Sequence, residues 1–144
     1  TQAAIDGVNG KQWDGDDAAN AGAKTVWTGK DKYVPELANT IENKFPGKVK
    51  AVEKLFYDSN GKLVTDLDVE LDGIIIQVKS GSAKGLTTQM VNTAQATGKT
   101  VISYTPDISQ SSAVLRGVRE KGFKTFTNME ELLDYLEEFY KNNK

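Results

Sequence analysis

Two neighbouring strand-like segments place Asp66 and Asp68 beside Gln77 and Lys79. Leu67–Leu71 and Ile74–Lys79 are joined by Asp72-Gly73. Asp-Gly between alternating apolar residues signals a tight hairpin, and its type I′ turn needs φ > 0 at both central positions. Leu71 then sits opposite Ile74, Val69 opposite Ile76 and Leu67 opposite Val78, which makes one apolar face. Alternation puts Glu70 with Ile75, Asp68 with Gln77 and Asp66 with Lys79 on the other face. Gathering two carboxylates, an amide and an ammonium group on one sheet face is costly, and such groupings mark functional sites. Carboxylate and amide oxygens suit a hard divalent cation, and an ammonium group suits a developing negative charge. The plain alternative is a solvated sheet face held by an Asp66–Lys79 ion pair.

What the chain lacks narrows the chemistry further. It has neither cysteine nor histidine. That excludes disulfides, thiolate zinc sites, Ser-His-Asp and Cys-His nucleophile systems, and paired-histidine acid–base catalysis. Hydrolysis here must use carboxylates, amides, lysine and an oxygen-bound metal such as Mg²⁺ or Mn²⁺. Phosphodiester cleavage needs an activated water, a neutraliser of developing charge and a divalent ion holding both. In that scheme Asp68 is the central metal ligand, Gln77 ligates the metal or orients its water, and Lys79 positions the water and stabilises the transition state, tuned by Asp66.

Several elements must position these groups. Residues 1–30 read as a loose Gly/Asp/Asn/Ala-rich lead-in with a short helix near Asp17–Ala23, and residues 31–144 as one domain. A helix is predicted over Tyr33–Lys44, with Pro35 in its first turn and an apolar stripe of Val34, Leu37, Ala38, Ile41 and Phe45. Val49–Tyr57 reads as a strand, followed by a turn and the hairpin. A helix over Leu86–Thr97, a buried strand over Thr100–Tyr104, a helix over Gln110–Lys121 ending at Gly122, and a strand over Phe123–Phe126 come next. Thr127-Asn128-Met129-Glu130 reads as a capping box opening the last helix, whose core face is Leu132, Leu133, Leu136, Phe139 and Tyr140. The order α-β-β-β-α-β-α-β-α indicates a mixed α/β sandwich. No apolar run is long enough to span a bilayer, and no signal peptide opens the chain.

The loop Ser80-Gly81-Ser82-Ala83-Lys84-Gly85 leads from the motif strand into a helix. Glycines, hydroxyls, a lysine and a helix N-terminus suit a phosphate, with Ser80, Ser82 and Lys84 as contacts. Gln89, one turn into the helix, either reaches the substrate backbone or is simply solvated. Net charge is −2, yet between Lys79 and Lys124 the basic residues face only Asp107 and Glu120.

That element order, with Asp68 and Gln77-Val78-Lys79 on adjacent strands, resembles the PD-(D/E)XK nuclease superfamily and its restriction-endonuclease-like fold, a mixed sheet flanked by helices. Gln77 stands where that pattern has an acid; its carbonyl still ligates a hard cation but supplies no charge. The resemblance implies that the backbone carbonyl of Val78 also touches metal, and that an acid on the first helix joins it. Glu42, at the margin of the apolar stripe, is preferred to Glu36, which points nearly opposite. LANTIE (Leu37–Glu42), TDLDVEL (Thr65–Leu71) and IQVKSGSAKGL (Ile76–Leu86) together resemble the C-terminal nuclease toxin domains of contact-dependent growth inhibition proteins of the CdiA type. The resemblance spans roughly Gly29 to Leu136. It implies a domain carried by a larger exported, cell-surface protein, acting in the cytoplasm of a target bacterium, and held by a cognate immunity protein. The implied substrate is nucleic acid, tRNA in preference to DNA because tRNA is a common substrate of such toxins and the chain lacks a strongly basic DNA-binding face. A DNase of the same fold, or a non-catalytic member binding nucleic acid or protein, are the alternatives.

Overall fold

The computed structural model describes residues 11–12 and 25–142. The helix expected near Asp17–Ala23 lies outside the described residues. The elements run β1 (Lys11–Gln12), β2 (Val26–Trp27), α1 (Tyr33–Lys44), β3 (Val49–Tyr57), β4 (Leu63–Leu71), β5 (Ile74–Val78), α2 (Leu86–Thr97), β6 (Thr100–Tyr104), α3 (Ala113–Glu120), β7 (Lys124–Phe126) and α4 (Met129–Asn142). A two-stranded ribbon of β1 and β2 precedes a five-stranded sheet in the order β3-β4-β5-β6-β7. The first three strands pair antiparallel through tight turns, and β5-β6 and β6-β7 pair parallel across helical crossovers.

Each face of the sheet is covered, so the chain is a three-layer α/β sandwich. On one side Val34, Leu37 and Ile41 of α1 and Leu132 and Leu136 of α4 pack on Val52, Val69, Leu71, Ile74 and Ile76. On the other, Leu86 and Met90 of α2 and Leu115 and Val118 of α3 pack on Leu67, Ile75 and Val101. Each large apolar side chain taken wholly out of water contributes about 1.5–3 kcal/mol. Ile74, Ile75 and Ile76 are all fully buried because β5 is a central strand with helices on both faces. Trp27, 3% exposed, belongs to the first of these cores although it precedes α1. Among the described residues no helix is long and apolar enough to cross a membrane.

Three local expectations are corrected. The Asp72-Gly73 turn is not type I′, since Gly73 has φ of +81° while Asp72 stays at negative φ. Positive φ at the second central position alone is the type II pattern. The last helix is capped one residue later than a Thr127 box would place it: Asn128 Oδ1 accepts from Glu131 N at 2.8 Å. The third correction concerns how far the hairpin ladder runs.

Candidate functional site

The expected register holds near the turn, where Glu70 pairs with Ile75 and Val69 with Ile76. Beyond those rungs the strands part, and the predicted pairs Leu67–Val78, Asp68–Gln77 and Asp66–Lys79 are not ladder rungs. Side chains occupy the gap. Gln77 Oε1 accepts from Asp68 N (3.1 Å), and Gln77 Nε2 donates to Asp66 O (2.9 Å). Asp68 Oδ2 accepts from Val78 N at 2.8 Å. One amide and one carboxylate thus satisfy backbone groups that a continuous ladder would have paired. Facing also changes here. Val69 packs with Ile76 on one side of the sheet, and Leu67 packs with Ile75 on the other. Two residues apart on a regular strand, they would share a face. The single apolar face expected from the hairpin is therefore broken at Asp68. The matching irregularity in β3 is Glu53, at φ +50°, between the rungs Val52–Val69 and Lys54–Leu67.

The splay opens a cleft of about 950 Å³ between β4, the end of β5 and the start of α2. Asp66, Asp68, Val78, Lys79, Ser80, Ser82, Lys84 and Gln89 all line it. Gln77 does not: it is fully buried beneath, and its Nε2 also donates to Thr93 Oγ1 on α2 at 2.8 Å. Both amide hydrogens are used, and the amide serves as a piece of ladder.

Glu42 is not brought to the cleft. It is 6% exposed, accepting from Trp27 Nε1 (3.0 Å) on Oε1 and from Gly47 N (3.0 Å) on Oε2. That carboxylate ties the end of α1 to β2. Glu36 is exposed on α1 and does not line the cleft. The acid that does come from this part of the chain is Asp31. Its Oδ1 caps α1, accepting from Tyr33 N (2.8 Å) and Val34 N (3.3 Å). Its backbone is held by Glu53, whose carboxylate accepts from Lys30 N and Asp31 N at 3.0 Å each. Asp31 was not singled out from sequence; an aspartate two residues before Tyr33-Val34-Pro35 is a helix-cap signal that could have found it, though not its place in the cleft.

Asp68 carries the site's electrostatics. Burial pushes its carboxyl up to about 7, and the negative charges of Asp66 and Asp31 push the same way. The bond from Val78 N and the Lys79 ammonium oppose them without cancelling the shift. A carboxylate so burdened is suited either to exchange a proton near neutrality or to gain strongly from a cation. No ion pair joins Asp66 to Lys79 among the described residues. Glu70, expected on the polar face, is bound by Lys54 (3.2 Å) and Lys99 (3.0 Å), and these two lysines hold its carboxyl below its usual range despite the opposing effect of burial.

The loop after β5 is a tight structure with left-handed backbone at Gly81 (φ +61°), Ala83 (φ +61°) and Gly85 (φ +84°). Gly85 opens α2 with no side-chain cap, leaving that helix end toward the cleft. Asp107 fixes the loop: Oδ2 accepts from Gly81 N at 2.8 Å, and Oδ1 accepts from the Tyr33 hydroxyl. Neither Asp107 nor Tyr33 was singled out from sequence, where an aspartate after Thr105-Pro106 reads as a turn residue.

Asp68, Asp66 and Asp31 bring carboxylate oxygens to the cleft, the donor type that a hard cation takes. No group of three or more metal-ligating side chains is preassembled among the described residues. No protein-family model, curated protein or solved structure matches the chain.

Proposed function

We propose that this chain is a divalent-metal-dependent nuclease, and that the splayed end of β4 and β5 is its active cleft. The observation that carries the reading is the opposition of Asp68, its carboxyl raised to about 7, to the Lys79 ammonium and the Ser80–Gly85 loop in one cleft. Asp68 would hold Mg²⁺ or Mn²⁺ with the Val78 carbonyl, Asp66 and Asp31 supplying further oxygens or solvent-bridged support. When bound, the ion supplies charge neutralisation and an acidified water. Lys79 then stabilises charge building on the non-bridging oxygens. Lys84, Ser80 and Ser82, with the uncapped start of α2, hold the flanking phosphate, and Gln89 orients the strand. Gln77 acts through Asp68, whose backbone it fixes, and Glu42 acts only on the fold.

The restriction-endonuclease-like fold and the family belong to the same proposal. Motif order and helix–strand order support a nuclease toxin domain of the contact-dependent growth inhibition kind, delivered by an exported carrier and neutralised by an immunity protein. The preference for tRNA over DNA rests on the resemblance, since tRNA is a common substrate of such toxins. One observation favours a second reading, a non-catalytic binding domain: the residue at the acid position of the motif is fully consumed in the ladder.

Purified protein incubated with total tRNA or plasmid, in Mg²⁺ or EDTA, beside Asp68→Ala and Lys79→Ala, separates these. Cleavage that needs metal and is lost in both variants supports the nuclease. Binding without cleavage supports the second reading, and the absence of both cleavage and binding supports neither.

A further inference from the structure

Leu55, Tyr57, Leu63 and Val64 are exposed at 51%, 52%, 50% and 36%, at the far end of β3 and β4. Tyr57 pairs directly with Leu63, so the aromatic ring and the leucine are cross-strand neighbours. Beside them runs a second groove of about 700 Å³. Its apolar wall is Tyr57, Leu63 and Val64, and its opposite wall is α2, with Asn92 and Gln95 one turn apart on one helix face. Leu63, Val64 and Asn92 also line the Asp68–Lys79 cleft, so the two hollows are continuous. Exposed apolar side chains on a strand next to solvent are ordinarily a liability.

We infer that this groove receives an unpaired nucleobase of the substrate strand, stacked against Tyr57 and bounded by the amides of Asn92 and Gln95; the inference rests on the nuclease reading. The chemistry changes along the continuous surface as it does along one nucleotide. Lysine and hydroxyls lie at the phosphate end, and an aromatic ring, aliphatic groups and amides lie at the other. Asn and Gln side chains donate and accept at once, as base edges require. A paired base is stacked inside its duplex, with no free face to offer the ring. The groove therefore selects single-stranded or looped nucleic acid. Charge does not argue against this. Asp58, at the groove's end, spends Oδ1 on Asn60 N and Lys62 N in closing the β3–β4 turn, and Lys62 stands on the same rim.

The test compares steady-state cleavage of one oligonucleotide, single-stranded and annealed to its complement, by wild type, Tyr57→Ala and Tyr57→Trp. Base–aromatic stacking is worth ~1–3 kcal/mol, so Tyr57→Ala raises KM for the single strand about 5- to 150-fold with kcat changed far less. Tyr57→Trp restores it, and far-UV circular dichroism is the same for all three because the ring is half-exposed. Equal KM for wild type and Tyr57→Ala, or preference for the duplex while cleavage is intact, overturns this inference and leaves the nuclease reading standing. So does a Tyr57→Ala variant that loses a protein partner while cleaving normally. Failure of wild type to cleave or bind either oligonucleotide overturns both.

Discussion

Replacing Asp68 by asparagine should make the protein more stable above neutrality while removing its activity. The carboxyl is raised from its ordinary 3.8 to about 7, chiefly by burial. A group whose proton affinity is higher in the folded chain costs nothing while it is protonated in both states, below about pH 4. The cost grows as pH rises and is complete above about pH 7, where the buried carboxylate must be charged. At ~1.4 kcal/mol per tenfold change in proton affinity, the whole displacement corresponds to about 4 kcal/mol. Residual solvent contact and the bond from Val78 N reduce what a variant recovers to about 2–3 kcal/mol. Asparagine keeps an acceptor for Val78 N and carries no charge. At ~2–4 °C per kcal/mol for a chain of this size, Asp68→Asn should melt about 5–10 °C above wild type near pH 8 and within a degree or so of it near pH 4. Thermal and urea unfolding across that range measure the difference, and titrating groups not coupled to Asp68 cancel between the two proteins. A difference that does not change with pH, or a wild type more stable at high pH, refutes the electrostatic account of the site.

Gln77→Glu should destabilise the protein by about 2–4 kcal/mol at neutral pH and not raise activity, although it recreates the acid of the motif. A carboxylate would face Asp66 O where Nε2 now donates, and urea denaturation with a parallel cleavage assay measures both effects. Glu42→Ala should cost about 1–3 kcal/mol by orphaning Trp27 Nε1 and Gly47 N, while kcat of the folded protein stays within about twofold of wild type; tryptophan fluorescence during unfolding follows the first and initial rates the second. Asp107→Ala releases the Ser80–Gly85 loop from Gly81 N and should raise KM about tenfold with a smaller change in kcat, read from steady-state cleavage.

The fold was largely legible, because its signals are local. The helices Tyr33–Lys44 and Leu86–Thr97 and the strand Thr100–Tyr104 follow from capping, apolar spacing and flanking glycines, and they are observed with those limits. The hairpin register was legible for the two rungs nearest the turn. Period-two alternation fails beyond Val69 because side chains of Gln77 and Asp68 take the place of backbone partners and Glu53 adopts positive φ. Neither event has a local signature. The positions of Asp68, Lys79 and the following loop in one cleft follow from adjacency and needed no exact ladder. The place of Glu42 was not legible because a helical wheel cannot tell a side chain facing a cleft from one facing a tryptophan. That tryptophan stands fifteen residues away, in a segment read as lead-in. Asp31 drew no notice in the sequence, because an aspartate just ahead of a helix is an ordinary cap residue, the role in which it accepts from Tyr33 N.

The most direct measurement of the central claim is the chemistry of the cut ends. Total tRNA is digested with wild type, Asp68→Ala and Lys79→Ala in Mg²⁺, and the new termini are identified by mass spectrometry. Water attack in the Asp68–Lys79 cleft predicts fragments with one terminal phosphate and one free hydroxyl at each break, formed by wild type and absent from both variants. Termini that are 2′,3′-cyclic phosphates, or cleavage by Asp68→Ala at the wild-type rate, would contradict it.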